Sequence, residues 1–268
     1  MCFQDFLNQY SRTLIMGILN ITPDSFYDGN KYLNSESLKK RFQKLNKSNI
    51  IDIGAESSRP GAIPISEADE LNRLSKIFPF LNDDKYYSVD TYKPSVAREC
   101  LKNGFNMLND ITGGKKLEML QIASEFKVPI ILMHIQGNPS NMQNNPKYDN
   151  IIDELMLYFE KRIDRAIKEG IKEKQIIIDP GVGFGKTVSQ NDTIIRNLSK
   201  FKRFDIPLLV GLSRKSFLTY DSNKPKDRLE ASLAVSALAI NNGADIIRVH
   251  DIDKSIEVFS IVDRLLKR

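Results

Sequence analysis

The sequence has little of what redox or zinc chemistry requires. It holds two cysteines, Cys2 and Cys100, and no C-x-x-C, so there is no disulfide framework and no thiol redox motif. Cys2 falls in a terminal stretch, and Cys100 falls in a helical pattern and reads as packing. There are two histidines, His134 and His250, with neither an H-x-H nor an H-E-x-x-H spacing, which removes the common zinc sites. No apolar run approaches the roughly 18 residues of a membrane-spanning helix. The opening MCFQDFLNQYSR has acids and amides where a signal peptide carries a continuous apolar core. A cytoplasmic protein with no membrane partner is expected. The net charge is +5, but lysines and arginines are interspersed with acids, without a dense basic run or an RNA-binding aromatic motif. No nucleic-acid partner is expected; a few cations remain for an anionic ligand.

What is present suits a globular α/β chain. Apolar residues make up 41% and charged residues 27%. The most informative stretch is Ile176–Lys186, IIIDPGVGFGK. Three branched apolar residues run into Asp179, Pro180 ends the ladder, and three glycines let the backbone turn tightly and approach a ligand. The stretch is not a phosphate-binding P-loop, because only three residues separate Gly181 from Gly185 and position 180 is Pro. It is not a dinucleotide loop either, because the spacing fails G-x-G-x-x-G.

The same pattern, an apolar run ending in a polar residue, recurs along the chain. The runs are Thr13–Asn20, Ile50–Ala55, Tyr86–Asp90, Phe105–Asp110, Pro129–His134, Gln175–Asp179, Pro207–Ser213 and Ile246–His250. Helical patterns follow each, over Ser35–Ser48, Ser66–Asn82, the stretch from Pro94 to Gly104, Lys116–Phe126, Ile151–Glu169, Asp192–Arg203, Arg228–Asn242 and Lys254–Leu266. Leu38, Phe42 and Leu45 share one helix face, and Ser66 is a candidate N-cap. Ile21–Asn30, Ile135–Asp149 and Ser222–Lys226 read as polar loops or connectors. Eight alternating units predict a single (β/α)8 TIM barrel over residues 13–268, with residues 1–12 as a lead-in. An open doubly wound sheet is the alternative.

A barrel delivers the strand ends to one rim: Asn20, the loop Glu56–Arg59, Asp90, Asn109, His134, Asp179, Ser213–Lys215, Arg248 and His250. Asp90, Asn109 and Asp179 suit a planar ligand rich in N–H donors. An acid–base pair of aspartates is a secondary reading. Arg59, Lys215, Arg248 and His250 form a basic half. Arg248 and His250 alternate with Val249, share one side of the strand, and read as a phosphate or pyrophosphate grip. An ion pair with a neighbouring Asp is the alternative for Arg248.

The segments MGILNITPDSF, GAESSRPGA, SVDTYKP, NDITGG, LMHIQGNP, DPGVGFGK, GLSRKSF and RVHD, in this order from Met16 to Asp251, resemble dihydropteroate synthase. The resemblance implies the barrel and the condensation of 6-hydroxymethyl-7,8-dihydropterin pyrophosphate with 4-aminobenzoate, giving 7,8-dihydropteroate and pyrophosphate. It implies Mg²⁺ as cofactor, with Asn20 as its ligand, and a homodimer formed through late helices. By motif, Asp90, Asn109, Asp179 and Lys215 hold the pterin, and Met133 and Phe184 pack on its ring. Arg59, Arg248 and His250 touch pyrophosphate. Thr22, Phe26, Ser58, Pro60, Ser213 and Lys215 shape the aminobenzoate side. Asp90, Asp179, Lys215 and Arg248 are the expected catalytic residues, in a dissociative, SN1-like substitution without a covalent nucleophile. Ser58 and Val182 are small departures from the family pattern, and sensitivity to sulfonamides is expected. Folate-dependent methyltransferase barrels share the pterin side, but they need neither the S-R-K segment nor the pyrophosphate grip.

Overall fold

Eight apolar runs become eight strands, and a helix follows each. In the computed structural model, residues 3, 6–7, 10, 12–22, 35–82, 84–219 and 228–267 are described. The expected loop positions from Pro23 to Asn30, including Phe26, the connector Ser222–Lys226, and Cys2 lie outside them. The order is β1 (Leu14–Asn20), α1 (Ser35–Lys44), β2 (Ile50–Gly54), α2 (Glu67–Leu74), β3 (Tyr86–Asp90), α3 (Pro94–Lys102), β4 (Met107–Asp110) and α4 (Leu117–Phe126). It continues with β5 (Ile130–Met133), α5 (Ile151–Lys168), β6 (Ile176–Asp179), α6 (Val188–Arg196), β7 (Leu209–Gly211), α7 (Leu229–Asn241), β8 (Ile246–Val249) and α8 (Ile252–Leu266).

The strands are parallel, in the order β6-β5-β4-β3-β2-β1-β8-β7. A single parallel bridge, Ile178 with Leu208, joins β6 to β7, supported by Ile178 N–H donating to Pro207 O at 3.0 Å. The sheet therefore closes into a (β/α)8 barrel, with all strand ends at one rim. Parallel strands covered on both faces need apolar side chains on both sides, which explains runs such as IIID rather than alternation.

The outward side chains, Ile15, Ile51, Val89 and Leu132 among them, pack against the helices. The inward ones form the barrel floor: Leu14, Met16, Ile50, Met107, Ile131, Ile177, Leu209 and Ile246. Phe3, from the lead-in, is buried in this floor cluster and meets Tyr86 edge-on at 5.2 Å. Leu38, Phe42 and Leu45 are buried as their spacing predicts.

The expected Ser35–Ser48 helix ends at Lys44 and tightens into a 3₁₀ turn over Leu45–Lys47, and two more helices differ from their sequence pattern. The expected Ser66–Asn82 helix ends at Leu74, and Phe78–Phe80 forms a 3₁₀ turn. Pro79 has no N–H and restricts the residue before it, so the α-helix cannot continue. Its start is as expected: Ser66 Oγ accepts from Asp69 N at 3.1 Å. The expected Asp192–Arg203 helix starts earlier, at Val188, because Thr187 and Gln190 form a capping box. It then tightens into 3₁₀ turns over Leu198–Phe204, which still bury Leu198 and Phe201. Among the described residues no helix is long and apolar enough to cross a membrane.

The last helix is tied to the first strand by one buried carboxylate. Asp263 accepts from Thr13 N at 3.0 Å and from Thr13 Oγ1 at 2.7 Å. Asp263→Ala removes the buried acceptor of both bonds, and is expected to cost about 1–3 kcal/mol in urea unfolding. Asp253→Ala, whose Lys47 partner is exposed, should shift the same curve by less than about 1 kcal/mol.

Candidate active site

At the carboxyl ends of the strands the barrel interior changes from apolar to charged. Arg248, inward on β8, lies across the mouth. Its Nε donates to Asp52 Oδ2 at 2.6 Å and its Nη2 to Asp90 Oδ2 at 2.8 Å. Asn109, from β4, donates to the same Asp52 oxygen at 3.1 Å. Asp52 is fully buried in β2, and its other oxygen, Oδ1, has no hydrogen-bond partner among the described residues. Asp52 was not among the expected site residues. The signal was available: it is an acid inside a strand of isoleucines, Ile50-Ile51-Asp52-Ile53, where an uncompensated charge is costly.

Asp90 shows how these charges compete. Burial first, and then the Asp52 charge, raise its pKa to about 7 against the opposing pull of Arg248. Burial also raises Asp179, while Lys215 and the Gly181 N–H, which donates to Oδ1 at 2.7 Å, pull it down. Burial lowers Lys215 to about 8, against the pull of Asp179. The Lys215 ammonium donates to Val182 O and stands 4.7 Å above the Phe184 ring, a cation–π arrangement.

The glycine-rich turn after β6 is built around Lys186. Its Nζ donates to Gly181 O at 2.9 Å and to Phe184 O at 2.9 Å, and lies 3.0 Å from His134 Nδ1. Three polar partners replace the lost water shell of this buried amine, although desolvation still holds its pKa well below the usual lysine range. His134 is pushed down to about 2 by burial and the neighbouring lysine, so the ring is neutral. It also meets Tyr158 edge-on at 4.7 Å. His134 thus braces the turn. Gly183 allows the close approach: a Cβ there would lie 2.9 Å from Lys215 Cδ, and φ is +84°.

The segment Ser213-Arg214-Lys215 is splayed by its middle residue. Arg214, at φ +56°, turns outward and forks onto Asp251 with two bonds of 2.9 Å. Ser213 and Lys215 are left facing the mouth. Ser213 Oγ lies 3.0 Å from His250 Nδ1 and accepts from His250 N at 3.2 Å.

The other expected residues among those described occupy the same rim. Asn20, half-buried, ends β1 in register with Gly54, and half-buried Thr22 follows it. Ser58 is half-buried, and Arg59 and Pro60 are exposed, in the loop after β2; that loop touches the loop after β5 through Gly61 N–H to Pro139 O at 3.1 Å. Met133 is buried at the end of β5, and Phe184 is half-buried.

The barrel with an acceptor-lined, cation-rimmed mouth belongs to a class of ligand-binding enzymes, and comparison with known proteins identifies which. Residues 16–250 match the family model described as pterin binding enzyme. A dihydropteroate synthase of Synechocystis sp. is 43% identical over 261 residues, spanning 95% of this chain and 90% of the relative. That of Escherichia coli K12 is 42% identical over 258 residues, spanning 94% and 91%. Among solved structures, the Yersinia pestis dihydropteroate synthase with a sulfonamide drug superposes with a TM-score of 0.90 at 39% identity, covering 96% of each chain. The Xanthomonas albilineans synthase with 4-aminobenzoic acid gives 0.88 at 32%, covering 95% of this chain and 93% of that one. The chain belongs to the dihydropteroate synthase family of pterin-binding enzymes and is a transferase. Its reaction is the family's condensation of a dihydropterin pyrophosphate with 4-aminobenzoate.

Asp52 is expected to matter as much as the motif residues. Asp52→Ala strips Arg248 and Asn109 of a shared acceptor, and should lower kcat/KM for the pterin substrate by about 100-fold, by the cost of truncating a buried ion pair. Steady-state kinetics on the folded variant checks this.

Proposed function

We propose that this chain makes 7,8-dihydropteroate by a dissociative substitution, with the pterin on the acidic half of the mouth and pyrophosphate on the basic half. The observation that carries the reading is the convergence of Asp52, Asp90 and Asn109 with Arg248, and of Asp179 with Lys215, at one barrel mouth. The pterin edge offers ring N–H and amino donors; Asp90, Asn109 and Asp179 supply acceptors. Met133 and Phe184 flank the ring. Asp90, Asp179, Lys215 and Arg248 are the proposed catalytic residues.

The bond between the pterin methylene and the pyrophosphate oxygen breaks first, and the electron pair leaves with oxygen. Arg248, Arg59 and His250 receive the leaving group. The pterin ring delocalises the cation, with Asp179 and Asp90 opposing its charge. The amine of 4-aminobenzoate then forms the new C–N bond with its own electron pair and releases a proton to solvent. Positioning and electrostatics do the work. Cys100 is buried, and burial raises its thiol, so it is no nucleophile.

Among the described residues no group of three or more His, Cys, Asp or Glu could hold a metal by itself. Mg²⁺ keeps several waters and takes phosphate oxygens with few protein ligands, so the lone half-buried amide of Asn20 at the β1 end fits its demands. When bound there, Mg²⁺ would neutralise charge on the pyrophosphate. We also propose one domain over residues 13–268, a cytoplasmic location, and a homodimer. For the dimer, Leu238 on α7 and Ile261 and Leu265 on α8 are exposed apolar side chains on adjacent late helices.

Purified protein given dihydropterin pyrophosphate, labelled 4-aminobenzoate and Mg²⁺ should yield labelled dihydropteroate. The label should fall to background with Asp179→Asn, and sulfonamides should compete with 4-aminobenzoate. Tight pterin binding without product would instead indicate a binding module. Lys215 acts as ammonium, which is lost as pH rises through about 8. The pH profile of kcat/KM for the pterin substrate should therefore fall above about pH 8. A flat profile to pH 10 would remove Lys215 from the charged machinery.

A further inference from the structure

Outside the mouth, one cluster of buried charges has no part in the mechanism above. Lys93, the residue before α3, sends its Nζ to Glu56 Oε2 at 2.6 Å, to Glu70 Oε2 at 2.6 Å and to Ile65 O at 2.7 Å. The side chains of Lys93, Glu56 and Glu70 are 8%, 9% and 1% exposed. Tyr92 donates its hydroxyl to Glu56 Oε1 at 2.5 Å, and Ile65 N–H donates to Glu56 Oε2 at 2.9 Å.

The bonding has a definite shape. Glu56 is the last residue before the loop that carries Ser57, Ser58, Arg59 and Pro60, and Ile65 is where that loop returns to Ser66, the N-cap of α2. The Glu56 carboxylate takes the Ile65 N–H, and the Lys93 ammonium takes the Ile65 carbonyl. Both backbone groups of one residue are thus pinned by one ion pair, and the two ends of the loop are fixed to each other. Burial alone would raise Glu56, yet hydrogen bonds from Lys93 and Tyr92 hold it below the ordinary glutamate range, so the pair is ionised.

Stability does not account for this arrangement. Replacing a buried ion pair with apolar side chains is often neutral or stabilising, so a buried charge cluster suggests a requirement for one geometry. The apolar alternative could fill the space but could not fix Ile65 through both its N–H and its C=O. Loops, by contrast, cost little to lengthen and little to leave mobile.

We propose that the Glu56–Lys93 ion pair, with Tyr92, is a positioning device that sets the loop 57–65 for the 4-aminobenzoate side of the reaction. This rests on the reading above that Ser58 and Pro60 shape the aminobenzoate pocket. Tyr92, Lys93 and Glu56 touch no reacting atom; they act through Ser58 and Pro60. Lys93 follows Asp90 by three residues, so one segment both binds the pterin, through Asp90, and locks the loop that receives the second substrate. Glu70, buried beside Lys93 and raised by that burial, completes the ammonium's coordination from α2.

The test compares substrates. Tyr92→Phe removes one hydroxyl and Glu56→Gln removes one charge, and both keep shape. Each should raise KM for 4-aminobenzoate by about tenfold, the loss of one charge-assisted hydrogen bond, with KM for the pterin pyrophosphate within about twofold of the parent. Lys93→Arg should recover more of the 4-aminobenzoate KM than Lys93→Met. Thermal melts confirm that each variant is folded; if Lys93→Met is not, Tyr92→Phe and Glu56→Gln decide alone. Equal rises in both KM values, or none in either, would overturn the proposal. Ser58→Phe separates it from the reading beneath it. If Ser58→Phe leaves the 4-aminobenzoate KM unchanged, the loop does not border that pocket and both fall. If Ser58→Phe raises it while Tyr92→Phe and Glu56→Gln do not, the pocket stands and the clamp alone is wrong.

Discussion

One guanidinium makes the charged mouth of this barrel tenable. Parallel strands covered by helices must be apolar on both sides, yet β2 and β3 each turn a carboxylate inward near the rim. Left alone, two close carboxylates in a dry barrel would repel and protonate. Arg248 enters from β8 and binds Asp52 and Asp90 together, at 2.6 and 2.8 Å. The ion pairs cross the mouth rather than following a strand, so β8 is joined through side chains to β2 and β3, which it does not pair with in the sheet. The grip foreseen for pyrophosphate is, in this structure, a carboxylate fork. The remaining nitrogen, Nη1, makes no hydrogen bond among the described residues, so Arg248 can hold the carboxylates and still meet an anion.

The barrel was legible because its rule is local. Each strand is a short branched apolar run, each run stops at a polar residue, and each helix repeats at its own period; IIID before PGVGFGK or YYSVD before TYKP needs no distant information. Helix ends failed where a local device outweighed the apolar period, at Pro79 and at the Thr187–Gln190 box. The site was legible in part, through residues that fall at strand ends. What was missed depends on pairing at a distance. Asp52 stands in mid-strand, and its meaning comes from Arg248, 196 residues away. Lys93 looks like a solvated lysine before a proline until Glu56 and Glu70 are seen around it. Lys186 lay inside the most informative segment, yet nothing in the segment tells that its amine turns back onto Gly181, Phe184 and His134.

Lys186 and Lys93 share a design with Arg214. Three loops at the rim are each fixed by a long basic side chain that does not itself face the mouth. Lys186 ties the turn after β6, Arg214 locks onto Asp251 and presents Ser213 and Lys215, and Lys93 holds the ends of the loop after β2. A charged group with several hydrogen bonds fixes direction as well as distance, which apolar packing does less well. Reacting groups must be held within a few tenths of an ångström for positioning to lower a barrier. Rigid support from outside the site leaves the inner face free for substrate.

The barrel wall has one thin seam. Everywhere else neighbouring strands share a run of paired residues, but β6 and β7 meet through the single bridge of Ile178 and Leu208. Asp179 stands at the top of one side of that seam and Lys215 just beyond the other. In the proposed pose, a pterin held by both would staple the weakest join in the cylinder. Its binding energy would then serve the container as well as the reaction: the occupied enzyme would resist opening by RT ln(1 + [L]/Kd), applied where the ladder is thinnest.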